Sequence, residues 1–237
     1  MKTWILEGDP TPLDRGHSHG LGVFETLLAL DGRLVRPDWH FERMEHGCRV
    51  LEIDPPDREA ILAALAPELG RGRQRVRIVR TAGAGSLNQL HGEGARTLLS
   101  LAPCPEPPDR LSFILAPWPK NEASPLAAVK CLSYAENLLA LDAARQAGAD
   151  EAVFLNTRGE LCEGATSNLF LQVKGRLLTP PLSSGCLPGT FRRGLLESGQ
   201  ADEAVLVPAD LASAEAVYLT SATRGKVSAE WRSQSTG

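Results

Sequence analysis

The stretch Ala102-Pro103-Cys104-Pro105-Glu106-Pro107-Pro108-Asp109-Arg110 decides how the chain is divided. Four of the six residues from 103 to 108 are proline, which has no backbone N–H and fixes its own φ angle. A segment of this kind forms neither a helix nor a central strand, and it behaves as a stiff, extended linker. We therefore predict a domain at 1–102, a linker at 103–110 and a second domain at 111–237.

The residues before the linker read as a mixture of strands and helices. A strand is predicted over 22–30, where it ends at an Asp-Gly turn. Helices are predicted over 38–51, with Asp38 as the N-cap, and over 56–65, with Pro56 in the first turn. Further strands at 75–81 and 97–101 make this an α+β domain.

The residues after the linker predict a second α/β domain with a mixed or antiparallel sheet. Short strands are expected at 111–116 and 127–130. Ser133-Tyr134-Ala135-Glu136 matches a capping box and opens a helix with a Leu/Ala stripe, which we expect in the core. Two hairpins follow, over 151–163 and 169–179.

Composition excludes several classes of function. The 237 residues carry 25 Lys+Arg and 29 Asp+Glu, a net charge of −4, which argues against nucleic acid as a partner. No apolar run is long enough to span a membrane, and the first ten residues lack the apolar core of a signal peptide. Five cysteines without a C-x-x-C pair favour free thiols in the cytoplasm and no zinc site. The His17-x-His19 pair has no acidic or cysteine cluster beside it, so we predict no metal.

The chain has only five lysines, at positions 2, 120, 130, 174 and 226. Four of them fall at the terminus, in loops or among polar residues, and are interpreted as surface lysines. Lys130 ends the apolar run Ala127-Ala128-Val129 and lies three residues before the capping box. Burial there would favour a neutral, nucleophilic amine of the kind that condenses with a carbonyl group.

Three loops of small polar residues follow Lys130 along the chain. Glu163-Gly164-Ala165-Thr166-Ser167-Asn168 places a carboxylate before a glycine that permits close backbone approach. The stretch 187–193 turns from a Pro-Gly loop into a helix, whose N-terminus is suited to phosphate. Thr220-Ser221-Ala222-Thr223 ends another apolar strand.

In these stretches the sequence resembles the class IV, or fold-type IV, pyridoxal-phosphate enzymes. The resemblance spans nearly the whole chain and rests on motifs that are weak singly but occur in the family's order. These are Asp14-Arg15-Gly16, Gly22-Val23-Phe24-Glu25-Thr26, His40-Phe41-Glu42-Arg43, Lys130 with Tyr134 and Asn137, Gly148-Ala149-Asp150-Glu151-Ala152, Glu163-Gly164 through Asn168, Leu187-Pro188-Gly189 with Arg192, and Ser221-Ala222-Thr223. The resemblance implies a two-domain fold-type IV enzyme with pyridoxal 5'-phosphate in a cleft between the domains, a small amine or amino-acid substrate, and a homodimer.

The resemblance also implies residue roles. Lys130 is similar to the catalytic lysine that binds the cofactor covalently and then moves the proton. Glu163 looks like the carboxylate that faces the pyridine nitrogen, and Arg43 resembles the arginine that binds the phosphate. Tyr134 is placed at the cofactor's phenolic oxygen. The other cofactor-binding residues by resemblance are Asn168, Thr190, Phe191, Ala222 and Thr223.

The sequence also departs from the family pattern. Leu21 replaces the usual aspartate, Thr190-Phe191 stands where Ile-Thr is usual, and Arg224-Gly225-Lys226-Val227 replaces Glu-Ile-Thr-Pro. No Arg-x-His carboxylate trap of the D-amino-acid aminotransferases is visible from Gly83 to His91. Phe24, Arg80 and Arg224 are our candidates for binding substrate, the two arginines through its carboxylate.

Three functions remain open at this point. The chain length, the strand Phe24-Glu25-Thr26-Leu27 and the missing trap favour a lyase that converts 4-amino-4-deoxychorismate to 4-aminobenzoate and pyruvate, in the folate branch. The alternative is a branched-chain-like amino-acid aminotransferase. The departures at Leu21, Thr190-Phe191 and Arg224 leave a non-catalytic binding protein on the same fold as a third hypothesis.

Overall fold

The computed structural model describes residues 1–8, 13–86 and 88–232. The chain divides into two compact units, the first formed by Met1–Glu106 with Val129–Tyr134 and the second by Pro107–Ala128 with Ala135–Gly237. The division after Glu106 falls within the proline-rich stretch. The segment that carries Lys130 packs in the first unit, although it comes after the linker in sequence.

The first unit is built on one antiparallel sheet. Its strands are β1 (Lys2–Glu7), β2 (Gly22–Leu30), β3 (Arg33–Leu34), β4 (Arg73–Thr81) and β5 (Thr97–Pro103). They pair in the order β1-β5-β4-β2-β3, and β2 and β4 are paired along their whole length. Since successive side chains of a strand point to opposite faces, the register of β2 against β4 decides which side chains share a face.

Three helices belong to this unit, and the second of them packs against the face of the sheet that carries Val23 and Glu25, here called the helical face. They are α1 (Arg15–His19), α2 (Pro37–Val50) and α3 (Arg58–Leu65), which continues as a short 3-10 turn, Ala66–Glu68. A Cβ on Gly47 of α2 would lie 2.8 Å from Val23 Cγ1, so only glycine lets the helix approach β2 this closely. The predicted cap is wrong, because Pro37 occupies the first turn and Arg36, not Asp38, is the N-cap residue.

The second unit contains an eight-stranded mixed sheet and three helices. The strands are β6 (Arg110–Leu115), β7 (Glu151–Leu155), β8 (Leu161–Gly164), β9 (Asn168–Val173), β10 (Arg176–Thr179), β11 (Asp202–Glu203), β12 (Ala216–Ser221) and β13 (Gly225–Trp231). The helices are α4 (Ala135–Gln146), α5 (Thr190–Glu197) and α6 (Pro208–Ser213), with a 3-10 turn at Leu182–Ser184. The strand order is β11-β10-β9-β12-β13-β6-β7-β8, and both predicted hairpins form.

Both faces of this sheet are covered by apolar packing. On one face Phe113, Leu169 and Leu219 belong to a fully buried cluster. The neighbouring residue Ile114 points the opposite way and packs with Ala140 of α4. A strand buried on both faces reads as a continuous apolar run, as 111–116 does.

Two local predictions around Lys130 are wrong. Residues 127–130 form no strand, and this segment meets β2 only through the isolated bridge between Val23 and Cys131. The predicted capping box at Ser133 does not form, because its hydroxyl donates to the carbonyl of Gly20 instead, and α4 begins at Ala135. Part of the predicted apolar stripe of α4 is also exposed, since Leu138 and Leu139 are 60 % and 59 % accessible.

Across the ranges 1–8, 13–86 and 88–232, no helix has the length and apolar character needed to cross a bilayer.

Candidate active site

Backbone hydrogen bonds hold Lys130 beside the N-terminal end of β2. The amide of Phe24 donates to the carbonyl of Lys130 at 2.9 Å, and Leu132 N donates to Gly22 O at 2.8 Å. A Cβ on Gly22 would lie 2.6 Å from the Leu132 side chain and 2.5 Å from the backbone of β4. Glycine at this position therefore allows the lysine segment to lie directly against the sheet.

The Lys130 amine lies among aromatic rings. Its Nζ is 4.5 Å from the centre of the Phe24 ring and 5.7 Å from that of Tyr134. The two rings pack edge to face, with centres 5.3 Å apart. The lysine is half-buried, so the rings exclude part of the water from an amine that must act as a nucleophile. The structure thus brings together three of the predicted site residues.

Arg77 on β4, which was not predicted from the sequence as a site residue, lies against the same Phe24 ring. Its Cζ is 4.1 Å from the ring centre, and Arg77 stands directly opposite Thr26 in the sheet register. Partial burial of its guanidinium lowers the pKa of Arg77, but the group stays charged at neutral pH. Within the described residues Arg77 has no carboxylate partner, and the residue is exposed overall, so its guanidinium is accessible to an anion.

Arg80, the predicted carboxylate ligand on the same strand, points to the other face. Its guanidinium donates to the Asp54 carbonyl and to the Thr97 hydroxyl, each at 2.9 Å, and pairs with Glu7. Its side chain is almost fully buried by these contacts. Arg80 therefore ties the edge of the first unit together, and the geometry favours Arg77 over Arg80 as the carboxylate ligand.

Arg43 forms part of a buried charged group on the helical face. Its Nε and Nη2 each lie 2.7 Å from a Glu25 oxygen, and Glu25 Oε2 also accepts a hydrogen bond of 2.6 Å from His40 Nδ1. Burial by itself would raise the pKa of Glu25, but the charge and hydrogen bonds of Arg43, with those of His40, lower it to about 2. Glu25 thus fixes the orientation of Arg43, the predicted phosphate ligand.

We expect Glu25→Gln to destabilise the protein by about 3–5 kcal/mol, because it leaves the buried Arg43 cation without its counter-charge. The folded-state pKa of about 2 lies below the ordinary value of 4.5. The carboxylate's contribution is therefore complete above pH ~5 and is lost as the pH falls towards 2. Urea unfolding at pH 7 and pH 3 measures it: the difference between wild type and variant should shrink at pH 3. An equal difference at both pH values would contradict the assignment, and Glu59→Gln on exposed α3 is the control.

The loop that begins at Gly83 is tied down by Arg15. This arginine is 3 % exposed, and its guanidinium donates to the carbonyls of Ala82, Gln89 and Leu90. Leu87, which lies between Gly83 and His91 in the sequence, is outside the described residues. Within the described part, backbone carbonyls rather than carboxylates satisfy the Arg15 cation.

In the second unit, Glu163 lies near the end of β8 and is almost fully buried. One of its oxygens accepts the backbone N–H of Leu187 at 2.8 Å, and the other pairs with the Lys120 ammonium. Lys120 was interpreted as a surface lysine from the sequence, and this interpretation is wrong because its side chain is only 18 % exposed. The isolated pattern Pro119-Lys120 contains no signal of this contact.

The start of α5 meets the beginning of β9. The Asn168 side chain donates to Leu187 O at 2.9 Å, and a Cβ on Gly189 would lie 1.8 Å from Asn168 Oδ1. Thr220 stands opposite Asn168 in the register, and among the described residues its buried hydroxyl has no hydrogen-bond partner. No side chain of the described residues caps the N-terminus of α5. A helix N-terminus near an unsatisfied hydroxyl suits a phosphate group.

Arg224 follows Thr223 in the turn after β12, and it connects this turn with the turn between β8 and β9. Its Nη2 donates to Thr166 Oγ1 at 2.8 Å and lies 3.5 Å from the buried Glu151 carboxylate. Glu151 in turn accepts from the hydroxyls of Thr166 and Ser167 at 2.6 and 3.1 Å. These contacts hold the turn at Ala222 and Thr223 in place and make Arg224 a structural link.

Each unit brings together some of the predicted site residues. Lys130, Tyr134 and Phe24 lie together in the first unit, where Glu25 fixes Arg43. In the second unit Leu187 contacts both Glu163 and Asn168, and a Cβ on Gly225, two residues after Thr223, would lie 3.6 Å from the Phe191 ring. An amine, a buried carboxylate and a helix N-terminus are the kinds of group that pyridoxal phosphate requires.

Comparisons with known proteins concern the family and the fold of the chain. The model of the class IV amino-transferase family matches residues 22–230. The chain is 29 % identical to the bifunctional aminodeoxychorismate lyase / D-amino acid transaminase of Mycobacterium tuberculosis, over 92 % of this chain and 82 % of that protein.

Solved structures share the fold. The 4-amino-4-deoxychorismate lyase of Pseudomonas aeruginosa aligns with a TM-score of 0.85 at 29 % identity, over 97 % of this chain and 91 % of that one. A PLP-bound hypothetical aminotransferase of M. tuberculosis aligns with a TM-score of 0.82 at 25 % identity, over 96 % and 89 % of the two chains. The mixed α/β fold is therefore that of fold-type IV enzymes.

Proposed function

The chain belongs to the class IV aminotransferase family, and we propose that it is the lyase that converts 4-amino-4-deoxychorismate into 4-aminobenzoate and pyruvate. Its cofactor is pyridoxal phosphate. Membership of an enzyme family argues against the non-catalytic alternative. The proposal places the protein in the folate branch of metabolism.

The observation that carries this proposal is a row of arginines on the Lys130 face of the first sheet. Arg75 and Arg77 stand opposite Leu28 and Thr26, on the face that also presents Phe24. Neither of these two arginines forms an ion pair within the described residues. The substrate of the lyase carries two carboxylates, one on the ring and one on the enolpyruvyl group, and two arginines suit such a dianion.

When bound, pyridoxal phosphate supplies a carbonyl that captures the substrate amine and a ring that accepts electrons. Lys130 would hold the cofactor through its amine until the substrate amine takes that place. Lys130 Nζ then removes the proton from the carbon that bears the substrate amine. Enolpyruvate leaves the neighbouring carbon with its C–O bonding electrons, the six-membered ring becomes aromatic, and the enol takes up a proton to give pyruvate.

The other residues hold the reactants in place. Glu163 keeps a proton at the pyridine nitrogen, which lets the ring draw electrons from the breaking C–H bond. Tyr134 lies beside Lys130 for contact with the phenolic oxygen, and Arg77 binds a substrate carboxylate. Arg43, Thr190, Phe191, Ala222 and Thr223 remain the proposed phosphate ligands, with Asn168 supporting their loop.

An amino-acid aminotransferase is the second candidate. The M. tuberculosis relative is named for both activities, and the same lysine and carboxylate would serve either reaction. An arginine pair would then recognise a dicarboxylic amino acid rather than a branched apolar one.

A single assay separates the two candidates. We expect purified protein to release pyruvate and 4-aminobenzoate from aminodeoxychorismate with no keto acid present. We also expect Arg77→Leu to raise KM by about 10–100-fold, the ~1.5–3 kcal/mol of a charge-assisted hydrogen bond, while Arg33→Leu on the exposed edge leaves it unchanged. Amino transfer to a keto acid without release of pyruvate would overturn the lyase assignment.

We also propose that the enzyme acts in the cytoplasm as a homodimer. The adjacent, exposed Leu138 and Leu139 on α4 support a protein contact there. Sedimentation at micromolar concentration tests the assembly, and a monomer would contradict it.

A further inference from the structure

Lys120 is built into the second unit by its backbone as well as by its side chain. Its amide donates to Leu155 O at 2.8 Å, and the residue forms a parallel bridge with Asn156 at the end of β7. The ammonium lies 5.9 Å from the centre of the buried Phe154 ring and pairs with Glu163 Oε1. The backbone thus directs this lysine towards the carboxylate.

Lys120 is the cation that contacts the Glu163 carboxylate among the described residues. The thiols of Cys162 and Cys186 both lie within the influence of the Glu163 charge, and Cys186 also lies within that of Arg192. Burial and the Glu163 charge raise the pKa of Cys186 to about 12, and burial likewise raises that of Cys162, so both thiols are neutral. Arg192 is itself paired with Glu203. The charge balance at Glu163 therefore depends on Lys120.

We propose that Lys120 is a positioning residue that orients the Glu163 carboxylate for the pyridine nitrogen of the bound cofactor. This inference rests on the proposed pyridoxal-phosphate site, but it holds for a lyase and for an aminotransferase alike. Lys120 acts through Glu163 and contacts neither substrate nor reacting carbon.

The physical reason is that two donors fix the two oxygens of a buried carboxylate. Lys120 binds Oε1 and the amide of Leu187 binds Oε2, so together they set the plane of the Glu163 carboxylate. Removing one partner of a buried charge pair leaves the other without its counter-charge. Without the ammonium, the carboxylate would be held at one oxygen only, and its contact with the ring nitrogen would weaken.

The test is the dissociation constant of pyridoxal phosphate at pH 8, measured from the visible absorbance of diluted holoenzyme. We expect Lys120→Met to raise this constant by about tenfold, the effect of ~1.4 kcal/mol of lost binding free energy, and to shift the absorbance maximum of the bound cofactor. Lys120→Arg should behave like the wild type because it restores a cation at Glu163, and Lys174→Met, in an exposed hairpin turn, is the control.

A double variant isolates the route through Glu163. In the Glu163→Gln background, where no carboxylate remains to be oriented, Lys120→Met should cause no further rise of the dissociation constant. Lys120→Gln, which removes the charge and keeps a shorter donor, replaces Lys120→Met if the latter does not fold. An unchanged constant in Lys120→Met, or an equal rise in the Glu163→Gln background, would overturn the role of Lys120. A wild-type protein that binds no pyridoxal phosphate would instead overturn the proposed function.

Discussion

Replacing Lys130 with alanine should abolish covalent attachment of pyridoxal phosphate and reduce turnover by at least ~10²–10⁴-fold, the usual contribution of one positioned acid–base group. Lys130 is the half-buried lysine between the Phe24 and Tyr134 rings. Alanine removes both the nucleophile and the base. Borohydride reduction followed by mass spectrometry should find a pyridoxyl group on residue 130 of the wild type and none at this position in the variant.

Lys174→Ala is the matched control for this experiment. Lys174 is exposed in the turn between β9 and β10 and already has a positive φ of 50°, so alanine adds no new backbone strain. We expect this variant to keep its turnover and the modification at Lys130. Activity that survives in Lys130→Ala, or a pyridoxyl group found on Lys120 in the wild type, would contradict the assignment.

Glu163→Gln should lower kcat by about 10²–10³-fold, the usual loss when one preorganised electrostatic contact to a developing charge is removed. The amide keeps the shape of the side chain but carries no negative charge, so the pyridine nitrogen loses its counter-ion and the ring accepts electrons less readily. The measurement is single-turnover kinetics with aminodeoxychorismate. KM should change little, since Glu163 lies in the second unit and Arg77 is the proposed carboxylate ligand.

Glu160→Gln serves as its control in the same hairpin. Glu160 is paired with Arg158 and accepts from Asn156, and its bond to Arg158 helps lower its pKa to about 2. It therefore loses an ion pair on substitution, as Glu163 does. An equal fall of kcat in both variants would show that the effect is structural rather than electrostatic.

The predicted elements were mostly present because their signals are local. The Asp31-Gly32 turn ends β2 with both residues at positive φ, and the two hairpins of the second unit form at their Gly-containing turns. The strand at 127–130 failed because an apolar run does not specify a partner strand, and it meets β2 at a single bridge. The Asp38 cap failed because Pro37 is itself suited to the first helical turn.

The sequence alone could not decide which of two arginines on β4 lies on the face of Phe24. Arg77 and Arg80 are three residues apart, so they point to opposite faces of the sheet. Only the register with β2 tells which face carries Phe24 and the Lys130 segment. Arg80 turns out to be committed to Glu7 and Thr97, while Arg77 lies on the Phe24 ring.

By itself, the sequence determined the family, because the order of its motifs can be read directly along the chain. The linker at 103–110 and the choice of Lys130 as the catalytic lysine stay predictions from that same sequence. Lys120 could be recognised only in the tertiary structure. It lies 43 positions from Glu163, and no spacing rule connects the loop after β6 with the end of β8. Burial and charge pairing depend on distances in space, and the folding of the second sheet brings that ammonium and that carboxylate together.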